Sequence, residues 1–205
     1  MKKILFILFL IVISGCAKTI VEEPPTVKDT KIEGGEIMAN VLMVIAPKNF
    51  RDEEFLEPRE IFENNGIKVT VASKNTVTSK GMLGATVNVD KDVSSVNVAD
   101  YDAIVFIGGS GASVYFDDET VLSIAKQAHQ QNKVIGAICI APSILANAGI
   151  LEGKSATAFS SESSNLESKG ASYTGYSVTQ DGKIITANGP VAASEFAQKI
   201  VNSLK

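Results

Sequence analysis

The sequence predicts an α/β fold: a mostly parallel sheet with helices on both faces and an added β-hairpin. Three observations carry this expectation. Short, nearly continuous apolar runs recur at residues 40–46, 101–107 and 133–138, the pattern of parallel strands buried on both faces. Segments with helical spacing alternate with them, as sheets covered by helices require. Late in the chain, Asp181-Gly182 separates two alternating runs, the mark of a two-residue hairpin turn.

Taken in order, residues 40–46 form the first strand, bounded by Pro47. Residues 52–65 follow as a helix with Phe55, Leu56, Ile61 and Phe62 at helical spacing, closed by Gly66. Pro58 inside this span predicts a kink or a late helix start. Residues 67–73 are the second strand, and residues 87–90 a short alternating piece suited to a sheet edge. The strand at 101–107 ends at Gly108-Gly109. Asp118 can then cap a helix to Gln131 that turns Val121, Leu122, Ile124, Ala125 and Ala128 toward the core. The strand at 133–138, a helix at 142–148, a short strand at 155–159 and helices at 161–169 and 191–204 complete the domain. No internal repeat is visible.

The start of the chain reads differently. Lys2-Lys3 precede ten consecutive apolar residues, 4–13, and then Ser14-Gly15-Cys16. A basic start and a short apolar stretch make a signal peptide, too short to span a bilayer of about 30 Å. Ile13-Ser14-Gly15-Cys16 resembles the bacterial lipobox. That resemblance implies removal of residues 1–15 and attachment of diacylglycerol to Cys16. Palmitate-type chains would then hold the protein on a bacterial membrane, in the cell envelope, facing the periplasm or exterior. Losing the leader with its two lysines takes the formal charge from −4 to −6, so acyl chains rather than basic attraction are the expected anchor. Residues 16–38, with Pro24-Pro25, Gly34-Gly35 and mixed charge, read as a flexible tether. The folded domain is then 39–205.

Composition narrows the function. Nineteen Lys and Arg against 23 Asp and Glu leave no basic footprint for nucleic acid. A single histidine, His129, excludes a multi-histidine metal centre, and two cysteines cannot make a disulfide framework. No metal or cofactor is expected.

Cys139 falls between a buried strand and a helix, in Ile138-Cys139-Ile140-Ala141-Pro142. Sites in open α/β sheets form at strand carboxyl ends. A thiol there lies near helix N–H groups, which favour thiolate and lower the pKa. Gly136, Ala137 and Ala141 supply the small residues that a strained turn needs. Position alone leaves a buried small hydrophobe as the equal alternative.

This stretch, continued by Leu145 and Ala148-Gly149-Ile150-Leu151, resembles the nucleophile elbow of the PfpI-like superfamily. That group has a class I glutamine amidotransferase-like fold and includes intracellular proteases, glyoxalases and a Parkinson-disease-associated deglycase and chaperone. Gly108-Gly109, residues 66–72 and Asn188-Gly189-Pro190 match in the same order. The resemblance implies a flavodoxin-like three-layer sandwich over 39–205 and a homo-oligomer, a dimer. It carries the family's acid onto Glu54, four residues before Pro58, leaving Glu53 and Glu57 solvated. It carries the oxyanion-type donors onto the backbone N–H groups of Gly109 and Ile140.

Two departures matter. Ile140 stands where the proteases have histidine, and their acidic partner falls near Ser113. Phe159 stands where other members place a histidine. His129, among Gln127, Gln130, Gln131 and Asn132, reads as an exposed helix end. The expected activity is therefore a cysteine-dependent glyoxalase or deglycase acting on small carbonyl compounds, with Cys139 as nucleophile and Glu54 as acid and base. The competing readings are a non-enzymatic module that binds a ligand or senses an oxidant, and a cysteine peptidase, disfavoured by the missing histidines.

Overall fold

Strand alternation sorts the apolar residues onto two faces, and the architecture follows. The computed structural model describes residues 38–205; the leader, Cys16 and nearly all of the tether lie outside the described residues. In chain order the elements are β1 (Asn40–Val44), β2 (Lys48–Phe50), α1 (Asp52–Asn64), β3 (Lys68–Ser73), β4 (Thr78–Gly81), β5 (Thr86–Asn88) and β6 (Lys91–Asp92). There follow β7 (Ala103–Phe106), α2 (Glu119–Gln130), β8 (Val134–Ile138), α3 (Pro142–Asn147), β9 (Ser155–Ala156), α4 (Ser163–Ser168), β10 (Ser172–Tyr173), β11 (Val178–Asp181), β12 (Ile184–Ala187) and α5 (Ala193–Ser203).

The main sheet has seven strands in the order β11-β12-β8-β7-β1-β3-β6. All its pairings are parallel except β11 with β12, which is the α/β architecture expected. Along β1, Val41 and Met43, with Ile45 just past its end, face one side and pack with Phe55 and Phe62 of α1 and Phe196 and Ile200 of α5. Leu42 and Val44, with Ala46, face the other and pack with Leu122, Ile124 and Ile144 from α2 and α3. Period-two strands thus serve two separate helical layers. Gly136, expected to ease the turn at Cys139, has a different use: a Cβ there would lie 2.7 Å from Ile200 and 2.8 Å from Phe196. Its small size lets α5 lie close on the sheet.

Several expectations shift. The helix at α1 begins at Asp52 without a late start, and Pro58 is buried within it. The piece at 87–90 does supply an edge strand, β5, but in a separate small sheet, β2-β4-β5, while the main sheet ends at β6 and β11. The strand expected at 155–159 shortens to β9, which pairs in parallel with β10. In the hairpin, Asp181 pairs with Ile184, so Gly182 and Lys183 form the turn. Gly182, at φ +60, sits at the first central position, where the hairpin turn favours glycine. The capped helix matches its expectation: Asp118 accepts from the N–H groups of Thr120 and Val121, and the buried residues of α2 are those five named from spacing.

Buried Asp52 ties α1 to the small sheet. Its carboxylate accepts from Leu83 N–H at 2.8 Å and Ala85 N–H at 2.7 Å. Asp52→Ala is expected to cost about 1–3 kcal/mol, the range for orphaning buried donors. Denaturant unfolding of the two proteins checks this, and an unchanged midpoint counts against the tie.

Candidate active site

The carboxyl ends of β1, β7 and β8 lie side by side, and the chain reverses its direction of travel across the sheet between β1 and β7. That switch point opens a crevice above the strand ends. Into it come α1 after β1, Gly108-Gly109 after β7, and Cys139 after β8.

Cys139 holds φ +64, a left-handed backbone that is strained for a side chain bearing Cβ. The surroundings clamp it: its N–H donates to Ala187 O at 2.9 Å, and its carbonyl accepts from Phe159 N–H at 2.7 Å. Cys139 is partly buried at this strand-to-helix turn. Glu54 comes from the first turn of α1 and is fully buried, on the same helical stripe as Phe55, Pro58 and Phe62. A Cβ on Gly108 would lie 2.5 Å from Cys139 Cβ and 2.6 Å from Glu54 Oε2. Thiol and carboxyl therefore converge over a residue that has no side chain. Gly109, at φ +90, is pressed from behind: a Cβ there would lie 2.3 Å from Arg51 N.

Burial dominates the electrostatics. It raises the Glu54 carboxyl to about 7, while the Cys139 thiol and, to a lesser degree, Arg51 and the Gly108 N–H favour its charged form. Neither carboxyl oxygen has a partner in full hydrogen-bond geometry, so the contact with the thiol is a loose one, as a weak S–H donor permits. The thiol is pushed up to about 12, first by burial and then by the Glu54 charge, with the N–H groups of Gly109 and Ile140 pulling the other way. The expectation that helix N–H groups would lower the thiol pKa is corrected here: burial beside a carboxylate outweighs them. Glu54 and Cys139 form one coupled acid, whose two protons leave far apart.

The structure places the other residues as follows. Glu57 is exposed and accepts from Ser194. Glu53, expected to be solvated, is half-buried and paired with Arg51. His129 is exposed near the end of α2, just before the amino end of β8 and so at the opposite end of that strand from Cys139. Ser113 is exposed. Phe159 is half-exposed beside the elbow and touches it through its backbone. Two open depressions of about 570 and 430 Å³ lie away from Cys139 and contain no cysteine. Among the described residues no cluster suited to a metal ion occurs.

A family model described as DJ-1/PfpI matches residues 39–203. The chain belongs to the DJ-1/PfpI family. An uncharacterized protein of Methanocaldococcus jannaschii is 43% identical over 170 residues, covering 82% of this chain and 83% of that one. The crystal structure of a ThiJ/PfpI domain protein from Brachyspira murdochii superposes with a TM-score of 0.80 at 36% identity, covering 82% of this chain and 96% of that one. A deglycase of Pyrococcus abyssi is 28% identical, covering 80% of this chain and 99% of that one. The fold shared with these DJ-1/PfpI proteins is the flavodoxin-like sandwich that the sequence resemblance implied.

Sequence reasoning missed Arg51. Its N–H donates to Gly108 O at 3.0 Å, and its side chain forks onto Glu53. The available signal was its place just before the helix, beside the acidic run Asp52-Glu53-Glu54.

Proposed function

We propose that this DJ-1/PfpI domain is a cysteine-dependent glyoxalase or deglycase acting on small carbonyl compounds, with Cys139 as nucleophile and Glu54 as its acid and base. The observation that carries the reading is the convergence of the partly buried Cys139 and a fully buried carboxyl over Gly108. With the first proton gone at about 7, the pair holds one proton. That proton sits mainly on sulfur, because burial and the Glu54 charge push the thiol up to about 12. The reactive form is the minor one in which the proton has moved to Glu54, leaving a thiolate that the N–H groups of Gly109 and Ile140 favour.

The chemistry then balances without histidine. Sulfur adds to the aldehyde carbon, the carbonyl electron pair moves to oxygen near the two N–H groups, and that oxygen takes the proton from Glu54. For a dicarbonyl, the Glu54 carboxylate next removes the former aldehyde hydrogen. Returning it to the adjacent carbonyl carbon, while the thiohemiacetal hydroxyl proton passes to that carbonyl's oxygen, gives a 2-hydroxy thioester. Water releases a 2-hydroxy acid and the free thiol. The P. abyssi relative, named a deglycase, supports this class.

Disappearance of methylglyoxal, followed with the purified protein and with Cys139→Ala, tests the proposal. The wild type should turn it over, and the variant should fall to the uncatalysed rate. Equal rates would overturn the reading. The missing histidine at Ile140 and Phe159 favours a second reading, oxidant sensing: mild peroxide would convert Cys139 to sulfenic or sulfinic acid without turnover of any carbonyl. A peptidase would instead show casein hydrolysis lost in Cys139→Ser. The remaining part of the proposal is a lipid anchor at Cys16 and a dimer. Mass spectrometry of the membrane fraction and the sedimentation coefficient decide those two points.

A further inference from the structure

We infer that Glu162 is a positioning residue: bonded to Ser143 on the elbow helix, it fastens the turn that sets the direction of the Ile140 N–H. This deepens the proposed carbonyl chemistry and rests on it for turnover, but not for the effect on Cys139 itself.

The Cys139 carbonyl and the Ile140 N–H belong to one trans peptide, which is planar and points the two groups in opposite directions. The carbonyl accepts from Phe159 N–H at 2.7 Å. Holding that oxygen fixes the plane, and with it the direction of the N–H beside the thiol. This peptide has a reason to turn if released, because Cys139 is held at φ +64.

The bond is only as firm as the turn that makes it. Phe159, Ser160 and Ser161 are exposed, so packing does little to hold them. Glu162 does so in two ways. Its N–H donates to Phe159 O at 2.9 Å and closes the turn on itself. Its carboxylate then reaches the elbow: Oε2 accepts from Ser143 Oγ at 2.6 Å, while Oε1 accepts from Ser161 Oγ at 2.6 Å. Both lengths are those of a hydroxyl donating to a charged oxygen, a strong class of hydrogen bond. Ser143 is fully buried in the first turn of α3, and its N–H donates to Ile140 O at 3.1 Å. Elbow and turn are thus joined twice, Cys139 to Phe159 and Ser143 to Glu162, with Ile140 between the joints. Without the carboxylate, the Ser143 hydroxyl loses its acceptor and the turn is free to carry Phe159 away.

Two readouts test this on the whole protein. The first needs no turnover: the rate of Cys139 alkylation by iodoacetamide against pH. The Ile140 N–H favours thiolate, so its misdirection lowers the thiolate share of the pair. In Glu162→Ala the plateau rate should fall about tenfold, the worth of one hydrogen bond to a charged group, with the midpoint near 7 unmoved because burial of Glu54 sets it. Glu162→Gln keeps an acceptor oxygen for Ser143 and should stay within about twofold of wild type. Ser143→Ala breaks the same joint without orphaning a buried hydroxyl and should match Glu162→Ala, and the double variant should be no slower than either. The second readout is methylglyoxal turnover, in which Glu162→Ala should lose kcat at least as far and keep KM within about twofold. A plateau unchanged or raised in Glu162→Ala and Ser143→Ala overturns the inference, as does a loss in Glu162→Gln equal to that in Glu162→Ala. A plateau that falls as expected, in a protein whose wild type consumes no methylglyoxal, sustains the positioning role and overturns the carbonyl chemistry instead.

Discussion

Glu54→Gln is expected to lower the turnover of methylglyoxal by about 10²- to 10⁴-fold, the usual worth of a positioned acid and base, while making the protein more stable above neutral pH. The two effects have one origin. Glu54 is buried without a full hydrogen-bond partner, so its ionised form is costly, and burial raises its pKa from an ordinary value near 4.5 to about 7. Between those values the folded protein keeps a proton that the unfolded chain has released, so stability falls as pH rises through that window and levels off above it. The fall is about 3 kcal/mol. Glutamine is never ionised and removes this dependence, so the variant gains on the wild type from pH 5 to pH 8. Denaturant unfolding at both pH values reads the gain, and parallel stability curves would show that Glu54 is not a buried acid. An inactive but more stable variant separates loss of chemistry from loss of fold.

Gly108→Ala is expected to damage the site more than the fold. The new methyl would lie 2.5 Å from Cys139 Cβ, 2.6 Å from Glu54 Oε2 and 2.6 Å from Ile138 O, closer than real contacts allow. Backbone O and the clamped elbow cannot retreat, so Glu54 must. Overpacking of this kind costs about 1–3 kcal/mol, a tolerable loss. The carboxyl, however, is driven from the sulfur, and turnover should fall toward that of Glu54→Gln. Gly108→Ala activity within twofold of wild type would mean that the convergence over this glycine is not what the reaction uses.

The strands and helices of the main sheet were legible because each carries a long periodic signal: the stripe of α2 on Val121, Leu122, Ile124, Ala125 and Ala128, and the apolar runs of β1, β7 and β8. The small sheet was not. Lys48-Asn49-Phe50 and Thr78-Ser79-Lys80-Gly81 are short and mostly polar, and they become strands only through pairing with each other and through the tie from Asp52. At the site, the positions of Cys139 and Glu54 could be read from the family pattern, and Glu54 had a physical signal too, a carboxylate within the buried stripe Phe55, Pro58 and Phe62. The direction of the thiol shift could not be read. Helix N–H groups are local and visible in sequence, whereas burial beside Glu54 arises from packing between α1 and the β8 elbow. Arg51 escaped for a related reason: the residues that it faces, Gly108 and Gly109, are more than fifty positions away in the chain.

The central claim is that Cys139 and Glu54 share one proton through the neutral range and so make a reactive thiol without histidine. The rate of Cys139 alkylation by iodoacetamide against pH, in the wild type and in Glu54→Gln, tests it most directly. The wild type should rise to a plateau with a midpoint near 7, where the pair loses its first proton, and Glu54→Gln should lose that plateau and keep rising to a single midpoint below about 12, because the carboxylate charge that pushes the thiol up is gone. A single wild-type midpoint near the ordinary thiol value of about 8.5, unmoved by Glu54→Gln, would contradict it.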